Sequence, residues 1–155
     1  MKIIFIDIDG VLATAPCWNM SRDNKWDAYP FDKKAVKVLN EILKETGAEM
    51  VLSSDWKYYY TMNQIKEIFM EFNNVIKTPF DRTPMFKTDA MNLSGGRVNE
   101  IKAWLEDNVE KLGVTHWVAI DDLNMFELEN FAHCQRQMEG IKQSGLKAKI
   151  IKFLS

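Results

Sequence analysis

A short, unbroken apolar run, Ile3-Ile4-Phe5-Ile6, is cut off by Asp7-Ile8-Asp9-Gly10. Rich in β-branched residues and too short for a buried helix, it reads as a strand covered on both faces. Such a strand needs helices above and below it, so it commits the chain to a layered α/β architecture. The pattern recurs. Residues 49–53 (EMVLS) and 117–120 (WVAI) read as two more buried strands, the second closed by Asp121-Asp122, and residues 131–136 are a candidate for another. Helical patterns lie between them. Asp32 is placed to cap a helix carrying Ala35, Val38, Leu39, Ile42 and Leu43, with Gly47 just past its end. Thr61 and Gln64 fit a capping box ahead of Ile65, Ile68, Phe69 and Phe72. Residues 73–96 are broken by Asn73-Asn74, Pro79, Pro84 and Gly95-Gly96, with Val75-Ile76 as a candidate short strand. Val98, Ile101, Leu105, Val109 and Leu112 mark a long helix stopped by Gly113, and residues 146–154 mark a last one. Strands alternating with helices over short connections predict a three-layer α/β fold with a mainly parallel central sheet, one domain over residues 1–155.

That architecture asks for a substantial core, and 155 residues that are 46% hydrophobic can supply it without staples. Collagen-like, low-complexity and disordered classes are excluded by the same composition. The net charge of −2 argues against a general basic coat for nucleic acid. It is unevenly spread. Residues 131–155 carry Arg136, Lys142, Lys147, Lys149 and Lys152 against Glu139, a basic segment that reads as a solvated helix face or as a phosphate-contacting patch. Cys17 and Cys134 lie too far apart for a CxxC, and two histidines are too few for a zinc site, so reduced thiols in a cytoplasmic protein are expected. The early Asp residues leave no signal peptide or membrane span at the N-terminus, and no membrane partner is expected.

In a parallel sheet, ligands bind beyond the carboxyl ends of the strands. Three strands end there in polar residues: Asp7 and Asp9, Ser53 and Ser54, Asp121 and Asp122. Four carboxylates on one edge repel unless a cation sits among them, and all-oxygen ligation without His or Cys suits Mg²⁺.

These residues carry a resemblance. Asp7-Ile8-Asp9-Gly10-Val11-Leu12 resembles the DxDGxL/T signature of the haloacid dehalogenase-like (HAD) phosphohydrolases. Residues 51–54 (VLSS) look like the second motif, Arg97 like the basic third and residues 117–122 like the hhhhDD fourth, in the family's order. The strings DIDGVL, VLSSDW and RxxEIxxWL (Arg97, Glu100, Ile101, Trp104, Leu105) are similar to HAD domains of Swiss Army knife RNA-repair proteins.

The resemblance implies a Rossmann-like HAD fold and a phosphatase. It makes Asp7 the nucleophile that forms an aspartyl phosphate, and Asp9 the acid and base for leaving group and water. Mg²⁺ would be held by Asp7, Asp9 through its carbonyl, and Asp121, with Asp122 beside it. Ser53 and Arg97 would bind phosphoryl oxygens, Lys87 and Lys102 being the other candidates for the basic role. Gly10, Ser54, Trp18 and Lys57 complete the expected substrate-binding set.

The insertions between motifs are too short for a cap domain, so no large cap is expected. An open site cannot enclose a small metabolite, so a macromolecular end, such as a nucleic-acid terminus, or an oligomeric partner is expected to exclude water. Trp18, Trp26, Tyr29, Trp56, Tyr58, Tyr59 and Tyr60 crowd the motifs, with Arg22, Lys25 and Lys57 among them, as base-stacking and phosphate-contacting candidates or as packing. Met91, Met125 and Met138 read as core filler. The expected activity is a polynucleotide 3′-phosphatase or a nucleotide phosphatase; a small 5′-nucleotidase, another small-molecule phosphatase and a catalytically silent binding module are the alternatives. The oligomeric state stays open.

Overall fold

The structure, a computed structural model, describes residues 1–86 and 93–155. Among them five strands form one all-parallel sheet in the order β3-β2-β1-β4-β5: β1 (Lys2–Ile6), β2 (Glu49–Leu52), β3 (Asp81–Arg82), β4 (His116–Asp121) and β5 (Phe131–His133). The helices are α1 (Lys33–Thr46), α2 (Met62–Lys66, widening into a π turn over Glu67–Phe72), α3 (Leu93–Leu112) and α4 (Leu146–Phe153). This is the small Rossmann-like α/β architecture expected, and no folded cap lies among the described residues.

β1 is central because both of its faces are apolar. Ile4 and Ile6 join the core layer containing Leu39, Ile42 and Leu43 of α1 and Ile150 of α4. Ile3 and Phe5 enter the opposite layer with Val98, Ile101 and Trp104 of α3. Phe5 meets Trp104 and Trp117 edge-on, with ring centroids 5.3 and 5.9 Å away. Side chains alternating across the strand thus fill two helical layers at once.

Helix ends fall where their chemistry dictates. The Asp32 carboxylate accepts from the N–H groups of Lys34 and Ala35, and Gly47 ends α1 in the left-handed conformation. Thr61 and Gln64 form the expected capping box. Two boundaries differ from expectation. Val75-Ile76 is not a strand: Val75 N–H bonds back to Phe69 and Ile76 N–H to the Asn40 side chain. The edge position goes instead to Asp81–Arg82, flanked by Phe80 and Thr83 N–H bonds to Met50 and Leu52. α3 begins at Leu93, so Gly95-Gly96 lie in its first turn, where backbone N–H groups have no intrahelical partner in any case.

Two short insertions interlock beyond the carboxyl edge. Trp26, from the loop after β1, stacks on Phe72 and donates its indole N–H to Glu67 at 2.9 Å. The Tyr60 hydroxyl donates to the Trp26 carbonyl at 2.9 Å. The basic C-terminal segment is largely paired internally: Lys142 with Asp32, Lys147 with Glu41 and Arg136 with Glu139. No helix among the described residues is long and apolar enough to cross a membrane.

Asp32 links these two themes, and its pairing has a pH signature. Partial burial alone raises its carboxyl; the Lys142 ammonium, the Ala35 N–H and the Thr14 hydroxyl outweigh it and hold the group below its usual value. A depressed carboxyl adds stability above its unfolded value near 3.8, and that stability is lost as pH falls through the folded value. Asp32→Ala is expected to cost about 1 kcal/mol in urea unfolding at pH 7. Asp32→Asn keeps a capping oxygen and should cost less, its deficit shrinking away as pH falls through the folded value of Asp32.

Candidate active site

The chain leaves β1 through a loop wound around one carbonyl. The N–H groups of Val11, Leu12 and Ala13 all donate to the Ile8 carbonyl oxygen, at 3.1, 2.8 and 2.9 Å. This turn puts Asp7 on the buried side and Asp9 at the surface end of the site. Gly10 is required twice over. Its φ of 77° is the left-handed region, and a Cβ there would lie 2.5 Å from Asp122 Oδ2. The same loop is backed by Gly140, where a Cβ would strike the Val11 carbonyl oxygen at 2.3 Å. Gln137 Nε2 donates to Asp122 Oδ2 at 2.7 Å, so the C-terminal segment helps hold the fourth motif.

Asp7, Asp121 and Asp122 converge. Carboxylate oxygens from the three lie within 4.8 Å of one another. Arg97, on α3 and only 7% exposed, reaches into the group. Its Nη1 lies 3.1 and 3.0 Å from the two oxygens of Asp121 and 3.4 Å from Asp7 Oδ2, and Nη2 donates to Asp55 at 3.0 Å. Burial disfavours the charged guanidinium, but Asp7, Asp121 and Asp55 outweigh it and keep Arg97 protonated. Burial, then the neighbouring Asp121, pushes the Asp7 carboxyl well above its usual range, with Arg97 opposing. Burial also raises Asp121, again against Arg97.

The residues present fit a hard divalent cation. Three carboxylates outnumber the single guanidinium among them, the donors are all oxygen, and the raised acids are what such a cation would relieve. Of the buried side-chain atoms without a partner among the described residues, two donors belong to this group: Ser53 Oγ, just past the end of β2, and Arg97 Nε. Unsatisfied buried donors beside a carboxylate cluster suit an oxyanion. A pocket of about 110 Å³ opens here, walled by Asp7, Asp9, Ser54, Asp55, Arg97 and Asp122.

Asp9 and Asp55 also wall a second, larger cleft of about 570 Å³. Its other walls include Trp26, Tyr29, Trp56, Tyr59 and Tyr60, with Arg22. Both oxygens of Asp9 are held by cleft residues: the Tyr29 hydroxyl donates to Oδ1, and Trp56 Nε1 to Oδ2 at 3.1 Å. Burial, then the bond to Asp9, raises the Tyr29 hydroxyl and keeps it protonated as a donor.

Asp7, Asp9, Gly10, Ser53, Ser54, Arg97, Asp121 and Asp122 therefore gather at one edge. Two expected members do not. Trp18 donates its indole N–H to the Ala13 carbonyl and packs on the core, away from the cleft. Lys57 was expected to meet substrate phosphate, but its side chain is 0% exposed. Its ammonium donates to the Ser53 carbonyl at 3.1 Å and to Glu100 at 2.9 Å. An aromatic-rich stretch suggests an exposed flap, whereas the 3₁₀ turn over Asp55–Tyr58 rotates Lys57 inward. Burial lowers its pKa, with Glu100 opposing. Tyr58 does not wall the cleft either; its hydroxyl donates to Glu100 at 2.8 Å. Lys102 is exposed on α3, and Lys87 and Met91 lie outside the described residues.

Asp55 and Glu100 stand in the strings VLSSDW and RxxEIxxWL, but neither string assigns them a role. Asp55 follows the second motif directly, and Glu100 sits one helical turn from Arg97, so an i, i+3 pair beside a motif was the available signal.

A family model described as the HAD domain in Swiss Army Knife RNA repair proteins matches residues 3–149. Neither the curated proteins nor the solved structures contain a match.

Two stability measurements check this electrostatic account. Removing one partner of a buried pair strands the other, so Lys57→Met should cost about 3–5 kcal/mol, and adding Glu100→Gln should recover part of it. Asp7→Asn removes a charge that burial disfavours. A raised carboxyl penalises the fold above its folded value, and the penalty is gone below the unfolded value near 3.8. In chelator, Asp7→Asn should therefore raise stability at pH 7 by about 0.5–2 kcal/mol and give no gain below pH 4.

Proposed function

The chain belongs to the family of HAD domains in Swiss Army Knife RNA repair proteins, and from that membership we propose that it is a Mg²⁺-dependent phosphomonoesterase. Membership itself points to a hydrolase of the phosphatase type. The finer reading is that it acts through an aspartyl phosphate on a nucleic-acid end, as a polynucleotide 3′-phosphatase does, or on a nucleotide. The observation that carries the proposal is the convergence of Asp7, Asp121 and Asp122 with Arg97 around one small pocket.

In this reading the Asp7 carboxylate attacks phosphorus in line with the ester oxygen. The Asp7–phosphorus bond forms as the bond to the leaving oxygen breaks, and Asp9 delivers the proton that oxygen needs. Water then attacks the aspartyl phosphate, Asp9 takes its proton, and inorganic phosphate leaves with Asp7 restored. Ser53 Oγ and the Arg97 guanidinium donate to the phosphoryl oxygens, where charge is spread in the transition state. Asp7, Asp121, Asp122 and the Asp9 carbonyl would hold Mg²⁺, whose charge relieves repulsion between nucleophile and phosphate when it is bound. Arg in place of Lys adds a planar fork that also bridges Asp121 to Asp55, which a single ammonium could not span.

The family description names RNA repair, and this favours a nucleic-acid end over an unrelated metabolite. A chromogenic phosphate ester assayed with and without Mg²⁺ tests the chemistry. Hydrolysis should require the ion, and Asp7→Asn should lower it by at least about three orders of magnitude, a loss of about 4 kcal/mol in transition-state stabilisation. Activity surviving that change sinks the aspartyl phosphate; no activity on any ester leaves a binding module. Oligonucleotides with 3′- or 5′-phosphate should be better substrates than mononucleotides. Cleavage of mononucleotides alone would make the protein a small nucleotidase.

A further inference from the structure

Asp9 belongs to two pockets at once, and this says on which side the substrate's body lies. One pocket is the small acid-lined one beside Asp7; the other is the aromatic cleft. A group that protonates the leaving oxygen must stand on the leaving-group side of the phosphorus. Resting on the phosphatase reading above, we propose that the aromatic cleft is the leaving-group subsite and takes a single unpaired nucleoside, the terminal one of a single strand.

Three observations carry the assignment. The first is the wall chemistry. Tyr29, Trp56 and Tyr60 are each fixed by a hydrogen bond: Tyr29 and Trp56 to Asp9, and Tyr60 to the Trp26 carbonyl. Trp26 is tied to Glu67 in turn. Tyr29 and Trp56 are nearly buried, 9% and 7% exposed, and serve as the fixed floor of the cleft. The half-buried Trp26 and Tyr60 and the exposed Tyr59 offer the rings on which a base can stack. Tyr59 stands on the rim, 73% exposed, where an aromatic ring loses most by facing water and gains most by covering a ligand.

The second is charge. The cleft walls hold three carboxylates, Asp9, Asp27 and Asp55, against Arg22, whose guanidinium lies 4.6 Å from the centroid of the Tyr29 ring. A run of phosphates would be repelled from such a wall. An uncharged nucleoside is not, and Arg22 can meet the one phosphate that joins it to the rest of a strand. The third is size. A volume of about 570 Å³ lies within the roughly 300–1,000 Å³ of small-molecule sites and is too small to admit a duplex end intact. A paired terminal base would first have to leave its stack, which costs a few kcal/mol.

Tyr59 is the residue to change, because a ring 73% exposed contributes little to the fold. The full chain is assayed for kcat/KM on four substrates: methyl phosphate, adenosine 3′-monophosphate, a single-stranded 3′-phosphorylated oligonucleotide, and the same end in a blunt duplex. The single strand should be preferred to both the duplex and methyl phosphate. Loss of one stacked base corresponds to about a 5- to 150-fold change, so Tyr59→Ala should reduce the preference over methyl phosphate by that factor. Tyr59→Phe should restore it. Equal loss on methyl phosphate, or a duplex as good as the single strand, overturns the proposal and leaves the phosphatase reading intact. A mononucleotide as good as the oligonucleotide keeps the nucleoside subsite and removes the role of Arg22. Binding separates the two readings further. The unphosphorylated adenosine-terminated oligonucleotide should quench tryptophan fluorescence of Asp7→Asn, and Tyr59→Ala should weaken that binding by a similar factor. Such quenching without hydrolysis of any ester by the unmutated protein defeats the phosphatase reading alone; absence of quenching defeats the subsite.

Discussion

The Arg97 guanidinium is what allows two neighbouring strands, β1 and β4, to end in acid at one edge. Asp7 and Asp121 come from adjacent strands and are buried, and two such carboxylates cannot both be ionised in a dry site without a counter-charge. Arg97 spans them and also reaches Asp55 on the neighbouring turn. Its position depends on α3 packing against the sheet through Val98, Ile101 and Trp104, and Trp104 donates in turn to Asp81 on the edge strand. The charge arrangement of the site is thus held by a core contact two helical turns away. A single cation still leaves the site acid-rich, which is why the same geometry that needs Arg97 also suits a divalent ion.

A further buried pair supports the residues around the small acid-lined pocket. Lys57 and Glu100 form a buried pair that ties the end of β2 to α3, and Glu100 also accepts from Tyr58 and from the Phe86 N–H. Through the Ser53 carbonyl this pair bears on the hydroxyl that the site leaves without a partner. On the other side, Tyr29 and Trp56 serve two ends at once. Their rings pack on one another edge-on, with centroids 5.5 Å apart, while their polar tips hold Asp9. The choice between packing and function posed by the aromatic residues is therefore not exclusive. Rings that close the core on one side present polar atoms and a wall on the other.

Much of this was legible in the chain. The strands, the capped helices and the acidic strand ends each follow from local patterns: apolar runs, i, i+3, i+4 spacing, and Asp or Gly where the chain must turn. The motif residues Asp7, Asp9, Ser53, Arg97 and Asp121 could be named because each lies at a strand end or heads the apolar stripe of a helix in a recognisable resemblance, although α3 starts four residues before Arg97. Lys57 and Trp18 went the other way. Both lie in irregular segments whose hydrophobicity carries no period, so nothing local says which way a side chain faces. Val75-Ile76 shows the same limit, since a β-branched pair paired with nothing until Asn40 and the end of a π turn claimed its backbone.

What the sequence alone determined is the layered α/β fold, the edge at which the site lies and the acids that gather there, because strand burial and strand ends are properties of neighbouring residues. What only the tertiary structure decided is the direction of each irregular side chain and the meeting of distant insertions. Residues 22–29 and 55–60 become one cleft, and Lys57 becomes a buried partner of Glu100, through contacts between segments more than twenty-five residues apart. Such contacts leave no period in the chain, because the free energy that selects them comes from packing and paired charge, not from local backbone preference.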